Sequence, residues 1–186
     1  LLHQSQPHRR RRKRGALAHG IGITKGGRNT KLHAICDEKG RPHVLLLTPG
    51  NTHDAKVAML AVNAAPPSEY LVADKGYDSH ALRSWLIERG TTPVIPSKSN
   101  RKVQIEHDRQ IYRQRDVVER MFCHFNDWRW VATQFDRNTT TFMATIAIAA
   151  IVTWGSNESG PWWHNGDRYR PVLLIAVDRG LGLQGL

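Results

Sequence analysis

Two carboxylates stand where they could act together. Asp74 follows Tyr70-Leu71-Val72-Ala73, which reads as a short buried strand, and α/β folds commonly display functional side chains where such strands end. Glu119 adjoins Val118 and Phe122 in a stretch of helical periodicity. A carboxylate at a strand end and another on a packing helix can converge on divalent metal ions. Hard cations such as Mg²⁺ (or Mn²⁺) take a few carboxylate oxygens and keep other positions for water and phosphate. Two such ions about 3.5–4 Å apart activate a water and stabilise the leaving oxygen of a phosphodiester. Each acid also has a plain structural reading. Asp74 before Lys75-Gly76 can be a turn residue, and a helix Glu beside Arg can be a solvated ion pair.

Elements that would position these acids can be read on either side of them. Lys31 to Cys36 alternates polar and apolar, Asp37-Glu38-Lys39-Gly40 supplies turn chemistry, and His43 to Thr48 is a β-rich run, so a hairpin is expected. Asp54 can cap a helix to about Asn63, closed by Pro66-Pro67. Ser79 caps the helix carrying Leu82, Trp85 and Leu86, which Gly90 stops. Pro93-Val94-Ile95-Pro96 is a further short strand. One long helix is expected from near Asp108 to about Trp128, with Ile111, Val118, Phe122 and Phe125 on one apolar face, and a second over Thr139 to Trp154. Strands alternating with helices imply an α/β domain with a mixed sheet. Residues 155–186, with six glycines, Pro161, Pro171, Trp162-Trp163 and one apolar run from Val172 to Val177, commit to no element and read as a tail of unclear status.

The 186 residues carry 27 Lys and Arg against 16 Asp and Glu, a formal charge of +11. The excess is concentrated at one end. Residues 1–36 hold Arg9, Arg10, Arg11, Arg12, Lys13, Arg14, Lys25, Arg28 and Lys31 and no acid. The six-residue block at 9–14, within a basic arm over 1–18, repels itself and is expected to be extended when unbound. Its natural partner is a polyanion, since each neutralised phosphate releases counterions; charge alone does not separate DNA from RNA. A solvated arm without a specific role, or a targeting run, are the other readings. The longest apolar stretch, Phe142 to Trp154, has 13 residues, short of the roughly 20 that a membrane helix needs. No secretory signal is visible, and Cys36 and Cys123 suit reduced thiols better than a disulfide framework. The expectation is a soluble, cytoplasmic, nucleoid-associated protein.

Gly20-Ile21-Gly22-Ile23-Thr24-Lys25-Gly26-Gly27 fits neither a dinucleotide fingerprint nor a phosphate-binding loop and reads as a lead into the first hairpin strand. His53-Asp54 is a helix start rather than a ligand pair, and the ten histidines show no zinc-like clustering with the cysteines. Trp128 and Trp130 beside Arg129 could stack on bases, or pack at a helix end.

Asp74-Lys75-Gly76-Tyr77-Asp78, after Tyr70-Leu71-Val72-Ala73, resembles the segment around the second catalytic acid of DDE-type insertion-sequence transposases. Tyr112-x-x-Arg115-x-x-x-Glu119 resembles that family's signature on the helix bearing the third acid. Arg28 to Ala34, Leu47 to Asp54 and Val94-Ile95-Pro96 are similar to further family segments in the same order, so that the resemblance covers about residues 19–154 and is nearest to the insertion sequence five-like branch. It implies an RNase H-like mixed sheet flanked by helices, with metal-dependent hydrolysis at transposon ends followed by attack of the freed 3′-hydroxyl on target DNA. Asp74 and Glu119 would be metal ligands. Tyr112, Arg115 and Lys75 would meet the DNA backbone, Arg115 as a bidentate phosphate binder. For Lys75 an exposed turn lysine is the rival reading.

Two departures from the family pattern stand out. The lysine seven residues after the Glu falls here on Asn126, followed by Asp127. The family's first acid lies on a strand preceding the segment resembled by His3-Gln4, and residues 1–36 contain neither Asp nor Glu. Asp37, in the hairpin turn, is not placed to substitute. That first strand is central in an RNase H-like sheet, so its absence would leave unpaired edges between the hairpin and the strand ending at Asp74. The expectation is therefore a partial transposase domain over 19–154, inactive alone, with an upstream segment supplying the first Asp and a homo-oligomer in the active complex. A noncatalytic basic nucleic-acid-binding protein is the rival from another class, and a nonfunctional relic is a third reading.

Overall fold

The computed structural model describes residues 22–24, 27–133, 138–155 and 172–178. The basic block Arg9, Arg10, Arg11, Arg12, Lys13 and Arg14, and the pair Trp162-Trp163, lie outside the described residues. A six-stranded mixed sheet forms the middle layer. Its strands are β1 (Gly22–Thr24), β2 (Gly27–Cys36), β3 (Pro42–Pro49), β4 (Tyr70–Ala73), β5 (Thr92–Val94) and β6 (Val172–Asp178). They run in the order β1-β2-β6-β4-β5, with β3 also paired to β2. The helices are α1 (Asp54–Ala64), α2 (His80–Glu88), α3 (Arg109–Tyr112), α4 (Arg115–Asn126), α5 (Arg129–Ala132) and α6 (Thr139–Trp154), with a 3₁₀ turn at Lys75–Tyr77.

The slot between the hairpin and the strand ending at Asp74, which the sequence leaves without a strand, is filled. β6 pairs antiparallel with β2 (Ile35 opposite Ile175, Cys36 opposite Leu174) and parallel with β4 (Val72 opposite Leu174, Ala73 opposite Ile175). Val172 to Ala176 are all buried. The segment that read as a featureless tail thus supplies the centre of the sheet. An apolar run with both faces covered is what such a position requires.

Two cores sandwich the sheet. On one face Leu32, Ala34, Val72, Val94, Val172, Leu174 and Ala176 pack with Val118, Met121, Phe122 and Phe125 of α4 and Phe142, Ile146 and Ala149 of α6. On the other Ile35, Leu71, Ala73, Leu173 and Ile175 pack with Ala58, Ala61 and Val62 of α1 and Leu82 and Leu86 of α2. Alternation along β4 and β6 sends successive side chains to opposite layers, so Tyr70, Val72, Val172, Leu174 and Ala176 face α4.

The hairpin turn is fixed by Asp37, whose Oδ1 accepts from the backbone of Lys39 (3.0 Å) and Arg41 (2.9 Å) and whose Oδ2 accepts from Arg41 Nε (2.7 Å). Burial alone would raise its pKa, but hydrogen bonds from His43 and from Arg41 hold the carboxyl down at about 2. Gly40 has φ +80°, and a Cβ there would come within 3.4 Å of Val117, so the turn seats on α4.

The expected single helix from Asp108 to Trp128 is divided. Asp108 caps α3 by accepting from Gln110 and Ile111, and the chain then tightens, with Gln114 N–H bonded to Ile111 (3.0 Å) and Val117 N–H to Gln114 (3.0 Å). Such three-residue bonds keep the apolar face in phase while interrupting the α-helix. Asp54 is the first helical residue of α1 rather than its cap, because Lys31 Nζ takes its Oδ1 at 2.8 Å. Gly22–Thr24, expected as a lead-in, pairs with Gly27–Asn29 as β1. Among the described residues, no helix is long and apolar enough to cross a membrane.

Candidate active site

Asp74 leaves the end of β4 in extended geometry and caps the 3₁₀ turn, its Oδ1 accepting from Gly76 N–H at 2.7 Å. That bond fixes the carboxyl group and leaves its second oxygen without a cation among the described residues. The next residues separate by role. Lys75 is exposed, while Tyr77 and Asp78 turn inward and are buried.

Asp78 is a residue that sequence reasoning passed over. Its Oδ1 accepts from Arg83 Nε (2.8 Å) and Arg101 NH1 (3.0 Å), and its Oδ2 accepts from Lys98 N–H (2.9 Å), with the carboxyl group 1% exposed. Burial opposes ionisation there, yet the Lys98 amide and the two guanidiniums hold the carboxyl below its ordinary value. Arg83 also donates to the Ile95 carbonyl at 2.7 Å. These bonds lash the 98–101 loop to the segment carrying Asp74. The signal in the sequence was the second acid of Asp74-Lys75-Gly76-Tyr77-Asp78, four residues after the first.

The other candidates arrive from α3 and α4. Tyr112 closes α3, which packs against β4, and its ring lies edge-on to His107 with centroids 5.1 Å apart. Burial pushes its phenol above the ordinary value, Arg115 pulls the other way, and the carboxylates of Asp74 and Glu119 both add to the rise. One hydroxyl therefore feels all three groups. Arg115 opens α4 and donates NH1 to Glu119 Oε1 at 2.7 Å, one turn on. Its Nε is buried without a hydrogen-bond partner. Arg115 is half-buried and Glu119 exposed (30% and 55%), and partly solvated pairs of that kind contribute about 0–1 kcal/mol.

Arg115 and Glu119 are thus paired, Tyr112 is within electrostatic reach of that pair and of Asp74, and Lys75 is exposed one residue after Asp74. Tyr112 is on a separate short helix rather than on the helix of Glu119. Asn126 and Asp127 are exposed at the far end of α4, Asp127 3.8 Å from His124. Trp128 is half-buried and donates to Thr153, which suits packing, whereas Trp130 is exposed. Among the described residues, no group of three or more His, Cys, Asp and Glu side chains is gathered for a metal ion. Two carboxylates with one uncommitted oxygen still suit a hard cation, which keeps much of its water.

Comparison with known proteins bears on the family. The family profile described as the transposase DDE domain matches residues 4–153. The chain is 27% identical over 126 residues to the protein named as transposase for insertion sequence element IS6501 of Brucella ovis, covering 67% of this chain and 97% of that one. It is 27% identical over 139 residues to the one named for element IS402 of Burkholderia cepacia, covering 68% and 64%. With the transposase for element IS1106 of Neisseria meningitidis serogroup B it shares 32% over 97 residues, 50% of this chain and 34% of that one. No solved structure matches. With the family profile spanning most of its length, the chain belongs to the DDE-domain transposases of insertion sequences.

Proposed function

We propose that the chain acts on the ends of an insertion sequence by metal-dependent phosphodiester hydrolysis, followed by attack of the freed 3′-hydroxyl on target DNA. The observation that carries this reading is the match of the transposase DDE domain profile over residues 4–153, within which Asp74 ends β4 and Glu119 is ion-paired to Arg115 on α4. Asp74 and Glu119 would hold Mg²⁺ (or Mn²⁺), which supplies a polarised water and a charge at the leaving oxygen. Arg115 presents a guanidinium suited to a phosphate, Lys75 is exposed next to Asp74 in the chain, and Tyr112 would meet the DNA backbone with them. The block Arg9 to Arg14 adds sequence-independent hold on DNA. The mixed sheet with helices on both faces suits an RNase H-like domain of the insertion sequence five-like branch. Several copies would assemble on paired ends, as one site cannot serve two ends and a target together.

Mn²⁺ titration followed by electron paramagnetic resonance tests the metal role, and nicking of a plasmid carrying the terminal repeats tests the reaction. Asp74→Asn and Glu119→Gln should each weaken Mn²⁺ binding and abolish nicking. Arg115→Ala should weaken retention of the repeat duplex and leave Mn²⁺ affinity unchanged. Unchanged Mn²⁺ affinity in both acid variants with no nicking would overturn the reading in favour of a noncatalytic basic binder, and nicking that survives EDTA would overturn the metal role.

A further inference from the structure

The loop between β5 and α3 is built rather than merely connecting. Resting on the DNA-directed reading above, we propose that residues 97–105 form a preshaped seat for the phosphate backbone of the DNA, with Lys98 and Lys102 as its phosphate contacts.

The shape is fixed from within. Ser97 Oγ accepts from the Ile105 N–H at 2.8 Å and donates to the Ile105 carbonyl at 3.2 Å, which closes the loop at its neck. Inside it the Arg101 N–H reaches the Lys98 carbonyl at 3.1 Å, and the Gln104 amide donates to the carbonyls of Lys98 (3.2 Å) and Arg101 (3.0 Å). The position is fixed from outside. β4 and β5 are parallel with Val72 opposite Val94, so Asp74, two residues past the first, and Ser97, three past the second, leave the same end of the sheet. Asp78 then holds the Lys98 N–H and the Arg101 guanidinium from the Asp74 side.

The charge calls for a polyanion. Residues 97–105 contain Lys98, Arg101 and Lys102 and no acid. Beneath them the guanidiniums of Arg83 and Arg101 share the single carboxylate of Asp78, so the triad keeps one uncancelled positive charge, and Arg101 NH2 is buried without a hydrogen-bond partner. Such a triad adds little net stability beside apolar packing; what it supplies here is a fixed loop. Among the described residues neither Lys98 nor Lys102 has a carboxylate partner, and Ser99, Asn100 and Lys102 are exposed. Lys, Ser and Asn side chains are common donors to phosphate oxygens, and a phosphate chain laid over the loop offsets the repulsion among its cations.

Fluorescence anisotropy of the full chain with a labelled random-sequence duplex, repeated over a range of KCl concentrations, reads the number of phosphates engaged. Each contact contributes about 0.9 to the slope of log affinity against log salt. Lys98→Ala combined with Lys102→Ala should therefore make the slope shallower by about 2. Lys98→Arg with Lys102→Arg should keep the wild-type slope, and so should Lys56→Ala, exposed on α1 in the opposite layer. A wild-type slope in the double Ala variant, with Arg115→Ala weakened in duplex retention, overturns this assignment and leaves the proposed reaction standing. A slope reduced as much per lysine in Lys56→Ala overturns it as a loss of charge without a seat. Absence of duplex binding by the wild-type chain at low salt overturns both.

Discussion

Leu174 is the residue on which the placement of β6 can be tested most directly. It is fully buried on the α4 face and pairs across the ladder with Cys36 on one side and Val72 on the other. Replacing a buried Leu by Ala removes its transfer free energy and leaves a cavity, at a cost of about 2–5 kcal/mol. Against a typical total of about 5–15 kcal/mol, that is a large fraction. With a urea m-value of about 1–3 kcal/mol/M, Leu174→Ala should lower the midpoint by about 1–2 M. Leu173→Ala, buried on the opposite face, should do the same by emptying the other core. Leu60→Ala is the control, since Leu60 lies on α1 at 63% exposure and surface changes of that kind stay within about 0.5 kcal/mol. Urea titrations followed by tryptophan fluorescence and by far-ultraviolet circular dichroism measure all three. A midpoint for Leu174→Ala that coincides with the Leu60→Ala control would refute the placement of 172–178 at the centre of the sheet.

Three further outcomes follow from the buried polar groups. Asp37 has a folded pKa of about 2 against an ordinary 3.8, so its contribution is present above about pH 4 and is lost as pH falls towards 2. After allowance for solvent screening this is about 1–2 kcal/mol, and Asp37→Asn should flatten the acid limb of the stability–pH curve by that amount. Asp78→Ala leaves Arg83 and Arg101 without their shared carboxylate and should cost about 3–5 kcal/mol, with faster proteolysis within 97–105 as the local readout. Cys36 is buried, and burial, with Asp37 beside it, pushes its thiol up to about 12. Cys123 is exposed, so Ellman's reagent at pH 8 should titrate one thiol in the native chain and two after unfolding.

Local structure was legible where one side chain decides it. Ser79 accepts from Leu82 N–H at 3.1 Å, and Gly90 takes φ +79° at the end of the same helix. Tyr70 to Ala73 is short and apolar and ends on a turn-former, so β4 carries the expected boundaries. The α3–α4 break was illegible because three-residue bonds at Gln114 leave the spacing of Ile111, Val118 and Phe122 unchanged. β6 was illegible for a different reason. A strand buried on both faces has no alternation to betray it, and seven residues among glycines show no helical or strand period. Within the site, Asp74, Tyr112, Arg115 and Glu119 could be named from sequence, but the lashing of the 98–101 loop by Asp78 depends on pairings between 78, 83 and 101 that no local pattern encodes.

The position of β6 also bears on the order in which the molecule can form. β2 and β3 make a hairpin as soon as both are synthesised, and β4 can pair with β5 across a single short helix. These two half-sheets share no ladder of their own. Both attach to β6, the last of the described strands to leave the ribosome, through Ile35 opposite Ile175 on one side and Ala73 opposite Ile175 on the other. Until then each half exposes an edge that a second nascent chain could capture. Closure joins partners from far apart in the sequence and is correspondingly slow. A polypeptide released before residue 172 has two half-sheets with no ladder between them, and it is expected to be more prone to aggregation and proteolysis than the full chain.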